Sequence, residues 1–295
     1  MIGTASYIKA KQLRYDYIYI RHDAFSRKGY KALKYLSSAS NKIYLEIPTY
    51  YVPKKSLKNF VKYYYNSHLD RYIYKIVTDC NEKRIYGIDT LMITNGVEIE
   101  KISPRKPTYS DIINVMLVAS ISDYHGVNKI IDAVEHYSFE RDIVFHIVGD
   151  GPKLEEYKTI VNEKKMNDKI ILYGKLTGKD LDDVYNKCEI GISSLANKEI
   201  GVLFSSTLKS KEYLSKGIPI ISDVMLDVFY ENPKYYFYQL EKDFNIDELL
   251  EFYDSIYSER DKASIIAEIR EYAEATCDIS KVLKILDDDY KALEK

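Results

Sequence analysis

The run Phe204-Ser-Ser-Thr-Leu-Lys209-Ser-Lys-Glu212-Tyr-Leu-Ser-Lys-Gly217-Ile-Pro-Ile-Ile-Ser222 gathers side chains with a chemistry of their own. Ser205, Ser206 and Thr207 form a hydroxyl-rich helix start, whose free N–H groups and positive dipole end suit a diphosphate. Lys209 follows in the helix, placed to neutralise phosphate charge. Glu212, three residues on and on a similar face, is able to accept both hydroxyls of a ribose. The same spacing also describes a capped helix with an i,i+3 surface ion pair, and spacing alone leaves both readings open.

A second candidate is Ile147-Val-Gly149-Asp-Gly-Pro152, a strand running into a glycine-rich turn with proline suited to the first turn of a helix. It reads equally as a tight structural turn. It also fails the dinucleotide fingerprint, because no third glycine follows at the required spacing and no acidic ribose ligand stands at the expected distance. Cys80, Cys188 and Cys277 are widely separated, with no paired spacing and no histidine at metal-ligand distance in sequence, so buried thiols are expected rather than a zinc site or a disulfide framework. Lysines and aromatics combine through 54–65, a pattern that fits either a membrane-surface helix or a solvated helix with a tyrosine-rich inner face.

These residues need elements to hold them. In the second half, Val115–Ser120, Ile143–Val148, Lys169–Tyr173, Ile190–Ser193 and Ile218–Ile221 are short, nearly continuous apolar runs separated by helix-length segments. Continuous apolar strands are buried on both faces, which marks a parallel sheet covered by helices. Thr177 and Asp180 suggest a capping box for a helix whose Leu181, Val184, Tyr185 and Cys188 form one apolar stripe. Ligands in such sheets bind beyond the carboxyl ends of the strands. The first third carries shorter runs in the same βαβ rhythm, at Tyr17–His22, Lys42–Ile47, Lys75–Cys80 and Thr90–Asn95.

With 295 residues, 46% of them hydrophobic, the chain is long enough for two domains. Its net charge of -2 conceals a split: residues 1–107 hold 20 Lys and Arg against 9 Asp and Glu, leaving 23 against 36 for the rest. The basic part is suited to an anionic partner such as a phosphate-bearing substrate or a membrane surface. No motif supports nucleic acid. No apolar run reaches the roughly 18–20 residues of a membrane-spanning helix, and the start MIGTASYIKAKQ lacks the apolar stretch of a signal peptide, so a cytoplasmic location is expected. Gly96–Asp111, with two prolines and no periodicity, reads as a linker. The expected division is therefore 1–107, 108–275 and a C-terminal helix over 276–295 that packs back on the first domain.

Taken in order, Val-Ala-Ser-Ile-Ser-Asp-Tyr-His125-Gly126, Val-Gly149-Asp-Gly-Pro, Ile-Leu-Tyr173-Gly174 and Leu-Lys-Ser-Lys-Glu212-Tyr-Leu-Ser-Lys-Gly217-Ile-Pro resemble the donor-binding domain of group 1 retaining glycosyltransferases with the GT-B fold, especially bacterial capsule and surface-polysaccharide enzymes. The resemblance implies an α/β chain of two Rossmann-like doubly wound domains. It implies that Glu212, matching the second glutamate of the family's Glu-x7-Glu motif, holds the donor ribose. By the same comparison, the backbone around Ser206, Thr207 and Leu208 meets the diphosphate, with Lys209 supplying charge. Tyr173 and Gly174 border the base, Gly149 lies in the glycine-rich turn, and His125 and Gly126 approach the donor phosphates or the transferred sugar. No metal is required where positive groups replace it. The donor implied is UDP- or GDP-linked, and the acceptor a glycan or polyprenyl-linked glycan.

Two departures stand out. Phe204 occupies the place of the motif's first glutamate, and Ser120 and His125 replace the usual Arg and Lys of the first loop. The first domain resembles only the later strands of its counterpart, through Asp16–Arg21, Leu45–Tyr50 and Ile93–Val97. Glu46 falls there at a strand end where many relatives place an active-site histidine, so it is implied to orient or deprotonate the acceptor hydroxyl, a role to weigh against simple loop capping before Pro48. About half of that domain is missing from the comparison. Sugar transfer is therefore the leading expectation, beside an inactive or partner-dependent subunit completed by another chain and, third, a sugar-nucleotide epimerase, for which no second carboxylate pair is found.

Overall fold

A computed structural model of the chain describes residues 2–21, 27–47, 66–138 and 140–292. The basic, tyrosine-rich run 54–65 and the residues Pro48, Thr49 and Tyr50 lie outside the described residues. The chain divides into two compact units, Met1–Thr94 with Ile285–Lys295, and Asn95–Lys284.

In the first unit, α1 (Ile2–Ala10) is followed by β1 (Ile18–Arg21), α2 (Arg27–Leu36), β2 (Ile43–Ile47), β3 (Lys75–Thr78), β4 (Arg84–Ile85) and β5 (Ile88–Met92). The sheet runs β1-β2-β3-β5-β4, parallel throughout except for the β4–β5 hairpin. Tyr86 and Gly87 make that hairpin's two-residue turn, with φ of 53° and 81°, the left-handed pair that matches the twist of the strands. The turn explains why β5 starts at Ile88, two residues ahead of the expected Thr90. Helix α2 buries Gly29, Ala32, Leu33 and Leu36, a stripe spaced three, four and seven residues apart, in the same core as Leu45 and Ile76. Tyr44 is buried, and its hydroxyl donates to Asp289 Oδ2 at 3.0 Å within this unit.

The second unit contains β6 (Ile113–Val118), α3 (Val127–His136), β7 (Ile143–Val148), α4 (Leu154–Glu163), β8 (Ile170–Gly174), α5 (Gly178–Tyr185), β9 (Ile190–Ile192), β10 (Phe204–Ser205), α6 (Leu208–Lys216), β11 (Ile220–Ser222), β12 (Met225–Leu226) and β13 (Phe237–Gln239). Helices α7 (Ile246–Tyr257), α8 (Lys262–Thr276) and α9 (Ile279–Lys291) follow. Six strands form one parallel sheet in the order β13-β11-β9-β6-β7-β8. The chain therefore adds β7 and β8 on one side of β6 and then turns back to build β9, β11 and β13 on the other. Strand interiors such as Val115, Met116, Leu117 and Ile190 to Ile192 are buried on both faces, as a sheet sandwiched by helices requires.

Local expectations met two corrections. Thr177 is the N-cap of α5, but its side chain makes no capping bond. Gly178 follows in the left-handed region at φ 56°, which turns the chain so that the hydroxyl misses the first turn. The stripe itself holds, with Val184, Tyr185 and Cys188 buried and Leu181 partly so. Of the cysteines, Cys188 and Cys277 are buried and Cys80 only partly so. Among the described residues no helix is long and apolar enough to cross a membrane.

Candidate active site

The strand order reverses between β6 and β9, and it is beyond the carboxyl ends of such a pair that a doubly wound sheet receives its ligand. The two strands pair only as far as Leu117 and Ile192. Beyond that, the buried Tyr213 of α6 bridges them, its hydroxyl accepting from Val118 N at 2.9 Å and donating to Ile192 O at 3.2 Å. Gly191 leaves room for that ring, since a Cβ there would lie 2.6 Å from Tyr213 Cδ2. Helix α6 is thereby keyed into the point where the strands part.

The loop after β6 carries His125 and Gly126. Gly126 adopts φ 75° and approaches so closely that a Cβ would stand 2.6 Å from Leu195 Cβ. Ser194 Oγ donates to Tyr124 O at 2.8 Å, and Leu195 N to His125 O at 3.3 Å, so the loops after β6 and β9 are stitched together. His125 is 8% exposed; its Nδ1 lies 3.0 Å from Ser122 Oγ and its ring also bonds the Ser120 backbone. Burial, then the nearby Lys209 charge, pushes its pKa down to about 3. His125 is thus a neutral hydrogen-bonding group at ordinary pH, its one N–H engaged by the Ser120 backbone, and it is poorly suited to carrying a proton.

The start of α6 is the other wall. Thr207 is its N-cap, with Oγ1 accepting from Ser210 N at 3.3 Å, which leaves the Leu208 and Lys209 N–H groups without an acceptor in the helix. Ser206 is committed elsewhere: its hydroxyl donates to Asp227 Oδ2 at 2.8 Å and accepts from Asn95 N at 2.9 Å. Asp227 in turn forms a fully buried ion pair with Lys211. Ser206 therefore supports the helix start from below, and its side chain is not free for a ligand.

Lys209 and Glu212 do not pair with each other, which rules out the surface ion pair. Among the described residues Lys209 Nζ is buried with no hydrogen-bond partner, and burial pushes its pKa down to about 7 against the pull of Asp223. Glu212 is half-buried and accepts the Tyr185 hydroxyl at 2.7 Å. Asp223, just past β11, has Oδ2 on Lys198 N at 2.9 Å and Oδ1 buried without a partner. Nothing in the sequence reading singled out Asp223, although its place beyond the carboxyl end of a buried strand was a usable signal.

The remaining candidates divide. Gly149 packs against the neighbouring loop, where a Cβ would come within 1.7 Å of Ala119 O, whereas Gly174, at φ 73°, faces open space. Tyr173 donates its hydroxyl to His146 Nδ1 at 2.8 Å, while His146 Nε2 donates to Asn114 Oδ1 at 2.9 Å. That commits the Tyr173 hydroxyl and leaves its partly buried ring to border a ligand. Glu46, in the first unit, accepts from the Tyr19 hydroxyl at 3.0 Å and lies 3.4 Å from Arg21 Nε. Its carboxylate is therefore held by a tyrosine and an arginine on the neighbouring strand. Among the described residues no cluster of three His, Cys, Asp or Glu is disposed to hold a metal ion.

Residues 98–222, which include His125, Gly126, Gly149, Tyr173, Gly174, Ser206, Lys209 and Glu212 but not Glu46, Asp223 or Asp227, match the family described as glycosyl transferases group 1. The sequence likeness to that family is confined to this segment. The match spans less than half of the chain, and no curated protein matches the sequence. Solved structures extend the likeness to the rest. A glycosyltransferase from Rickettsia africae gives a TM-score of 0.72 at 18% identity, over 99% of this chain and 80% of that one. HepE from Anabaena, solved in complex with UDP, gives 0.68 at 14% identity over 99% and 81%. The pneumococcal O-GlcNAc transferase GtfA, in complex with UDP and GlcNAc, gives 0.65 at 15% over 99% and 59%. The chain has a GT-B-like α/β fold with parallel sheets. Within the second unit, the head of α6 brings together the Lys209 ammonium group and the leading N–H groups of its helix.

Proposed function

We propose that this glycosyltransferase moves a sugar from a nucleoside diphosphate donor, UDP- or GDP-linked, to a glycan or lipid-linked glycan acceptor in surface polysaccharide synthesis, with retention of configuration. One observation carries the reading: the Lys209 ammonium is buried without a partner, in the first turn of a helix whose leading N–H groups are also free. A buried cation with no acceptor is costly, and a diphosphate supplies the acceptors. The UDP seen in HepE and GtfA is consistent with such a ligand.

In the transfer, the bond between the anomeric carbon and the diphosphate oxygen breaks and the acceptor oxygen takes the carbon. Negative charge gathers on the departing oxygen. Leu208 and Lys209 N–H and the Lys209 ammonium are set to receive it, with the neutral His125 lining the loop that approaches the donor, and donors fixed in advance need no reorganisation as charge develops. Glu212 holds the ribose hydroxyls, Gly126 lets the first loop come close to the phosphates, and Tyr173 and Gly174 border the base. Gly149 shapes the turn beside them. Glu46 takes the acceptor proton or orients the acceptor hydroxyl, and the basic run 54–65 favours a membrane surface.

Phe204 supports a second reading. It packs edge-on against Tyr230, with ring centroids 5.6 Å apart, and offers a donor sugar no hydrogen bond. A subunit that needs a partner chain for activity fits that feature. Incubation of the folded protein with UDP- and GDP-linked hexoses, followed by proton NMR of the anomeric signal, tests both. Sugar release or transfer with the donor's configuration supports the enzyme; turnover that arises only with a second protein supports the subunit; inversion of configuration removes retention from the proposal.

A further inference from the structure

We infer that a nucleoside diphosphate, on binding at the head of α6, drives uptake of one proton by the Lys209 amine, which in the empty site has Asp223 as its neighbouring carboxylate. The inference rests on reading the head of α6 as the diphosphate site.

An ammonium has three N–H donors, and Lys209 Nζ is buried with none of them satisfied. The elements around it offer no remedy. From the loop after β6 comes His125, neutral and tied to Ser122 and to the Ser120 backbone. From the end of β11 comes Asp223, whose Oδ1 is likewise unpartnered, and whose Oδ2 takes Lys198 N at 2.9 Å. Lys198 itself spends its ammonium on Leu240 O at 2.6 Å.

On the same helix, Glu212 is engaged by Tyr185, and Lys211 is paired with Asp227 after β12. The first turn of α6 adds the positive end of its own dipole. A positive charge at Nζ thus meets a helix N-terminus, a neutral ring and a single carboxylate. Burial wins over that carboxylate, and the free protein holds Lys209 with a proton affinity near pH 7.

A diphosphate reverses the balance, because its oxygens bring both acceptors and negative charge. The amine then takes a proton from the buffer and becomes the ammonium. No bond to the ligand is made or broken. The sign follows: the bound state has the higher proton affinity, so binding is tightest below about pH 7 and weakens as pH rises above it.

Calorimetric titration of UDP at pH 8.0 in two buffers of different ionisation enthalpy reads this directly. A terminal phosphate titrates near pH 6, so UDP itself takes up little there. The expected result is uptake approaching one proton per UDP, and a dissociation constant that weakens by roughly eightfold between pH 7.5 and 8.5. Lys209→Arg, charged at every pH used, should bind UDP with uptake near zero. Wild-type binding with no proton uptake and a flat pH profile overturns the inference and leaves the diphosphate site standing, as does unchanged uptake in Lys209→Arg. No UDP binding to the folded wild type overturns both.

Discussion

Tyr185 on α5 donates its hydroxyl to Glu212 Oε2 on α6 at 2.7 Å. The bond joins two helices on separate crossovers and occupies one carboxylate oxygen, while Oε1 has no hydrogen-bond partner among the described residues. A fixed carboxylate with one open oxygen is what recognition of a vicinal diol requires, because the carboxylate need not lose rotamer freedom on binding. Burial, with the neighbouring Tyr213 and Glu212, keeps the Tyr185 hydroxyl protonated, so the donor is present at every working pH.

Removing that hydroxyl should loosen the carboxylate without disturbing the fold. Tyr185→Phe is expected to weaken UDP binding by about threefold to tenfold, in line with a hydrogen bond worth roughly 0.5–1.5 kcal/mol. Its midpoint of thermal unfolding should fall by only a few degrees. An unchanged affinity would show that Glu212 needs no such support.

Lys211 and Asp227 are both at 0% side-chain exposure, and Asp227 also receives Ser206, which holds the chain leading into α6. Lys211→Met strands a buried carboxylate, and losing one partner of such a pair costs about 3–5 kcal/mol. Denaturant unfolding should show that loss. The double variant Lys211→Met, Asp227→Leu should recover part of it, because the uncompensated charge is gone.

The two glycines at the β7 and β8 ends should answer differently to alanine. At Gly149 the new Cβ would sit 1.7 Å from Ala119 O, so the loops after β6 and β7 must separate, and both folding and UDP binding should suffer. At Gly174 the space is open and only the φ of 73° resists, a strain of about 1–2 kcal/mol. Unfolding curves of the two variants make the comparison, and equal losses would contradict the packing described.

His125 and His146 are buried and neutral, with pKa values pushed down by burial to about 3 and about 4. The unfolded chain binds protons at both near pH 6.5, so stability is lost as pH falls below that value. Between pH 6.5 and 5 each histidine should cost up to about 2 kcal/mol. His146→Gln, compared with wild type by denaturant unfolding at pH 7 and pH 5, should show a shallower fall. An identical fall would mean that His146 is charged in the folded protein.

The parallel sheet of the second unit was legible because its strands are continuous apolar runs, and continuity is the direct consequence of helices covering both faces. Edge strand β13, Phe237–Gln239, escaped because three residues of mixed polarity carry no period. Two-residue pieces such as β10 and β12 are equally silent. At the site, Lys209 and Glu212 were visible by type, but their partners were not. The i,i+3 spacing suggested that they pair; the structure gives Glu212 to Tyr185, 27 residues away, and gives Lys209 to no one. For Ser206 the expected contact is through the backbone, and its hydroxyl is held by Asp227 and Asn95. Such choices are settled by tertiary packing, which local spacing does not encode.

The account stands on a nucleotide docking at the head of α6 with its ribose on Glu212. Calorimetric titration of UDP and GDP into the wild type and into Glu212→Ala measures this most directly. The prediction is saturable binding of at least one nucleotide to the wild type, weakened by about tenfold to a hundredfold in the variant, as expected for hydrogen bonds to a charged group worth roughly 1.5–3 kcal/mol. Equal affinity in both proteins, or no binding to the folded wild type, would contradict it.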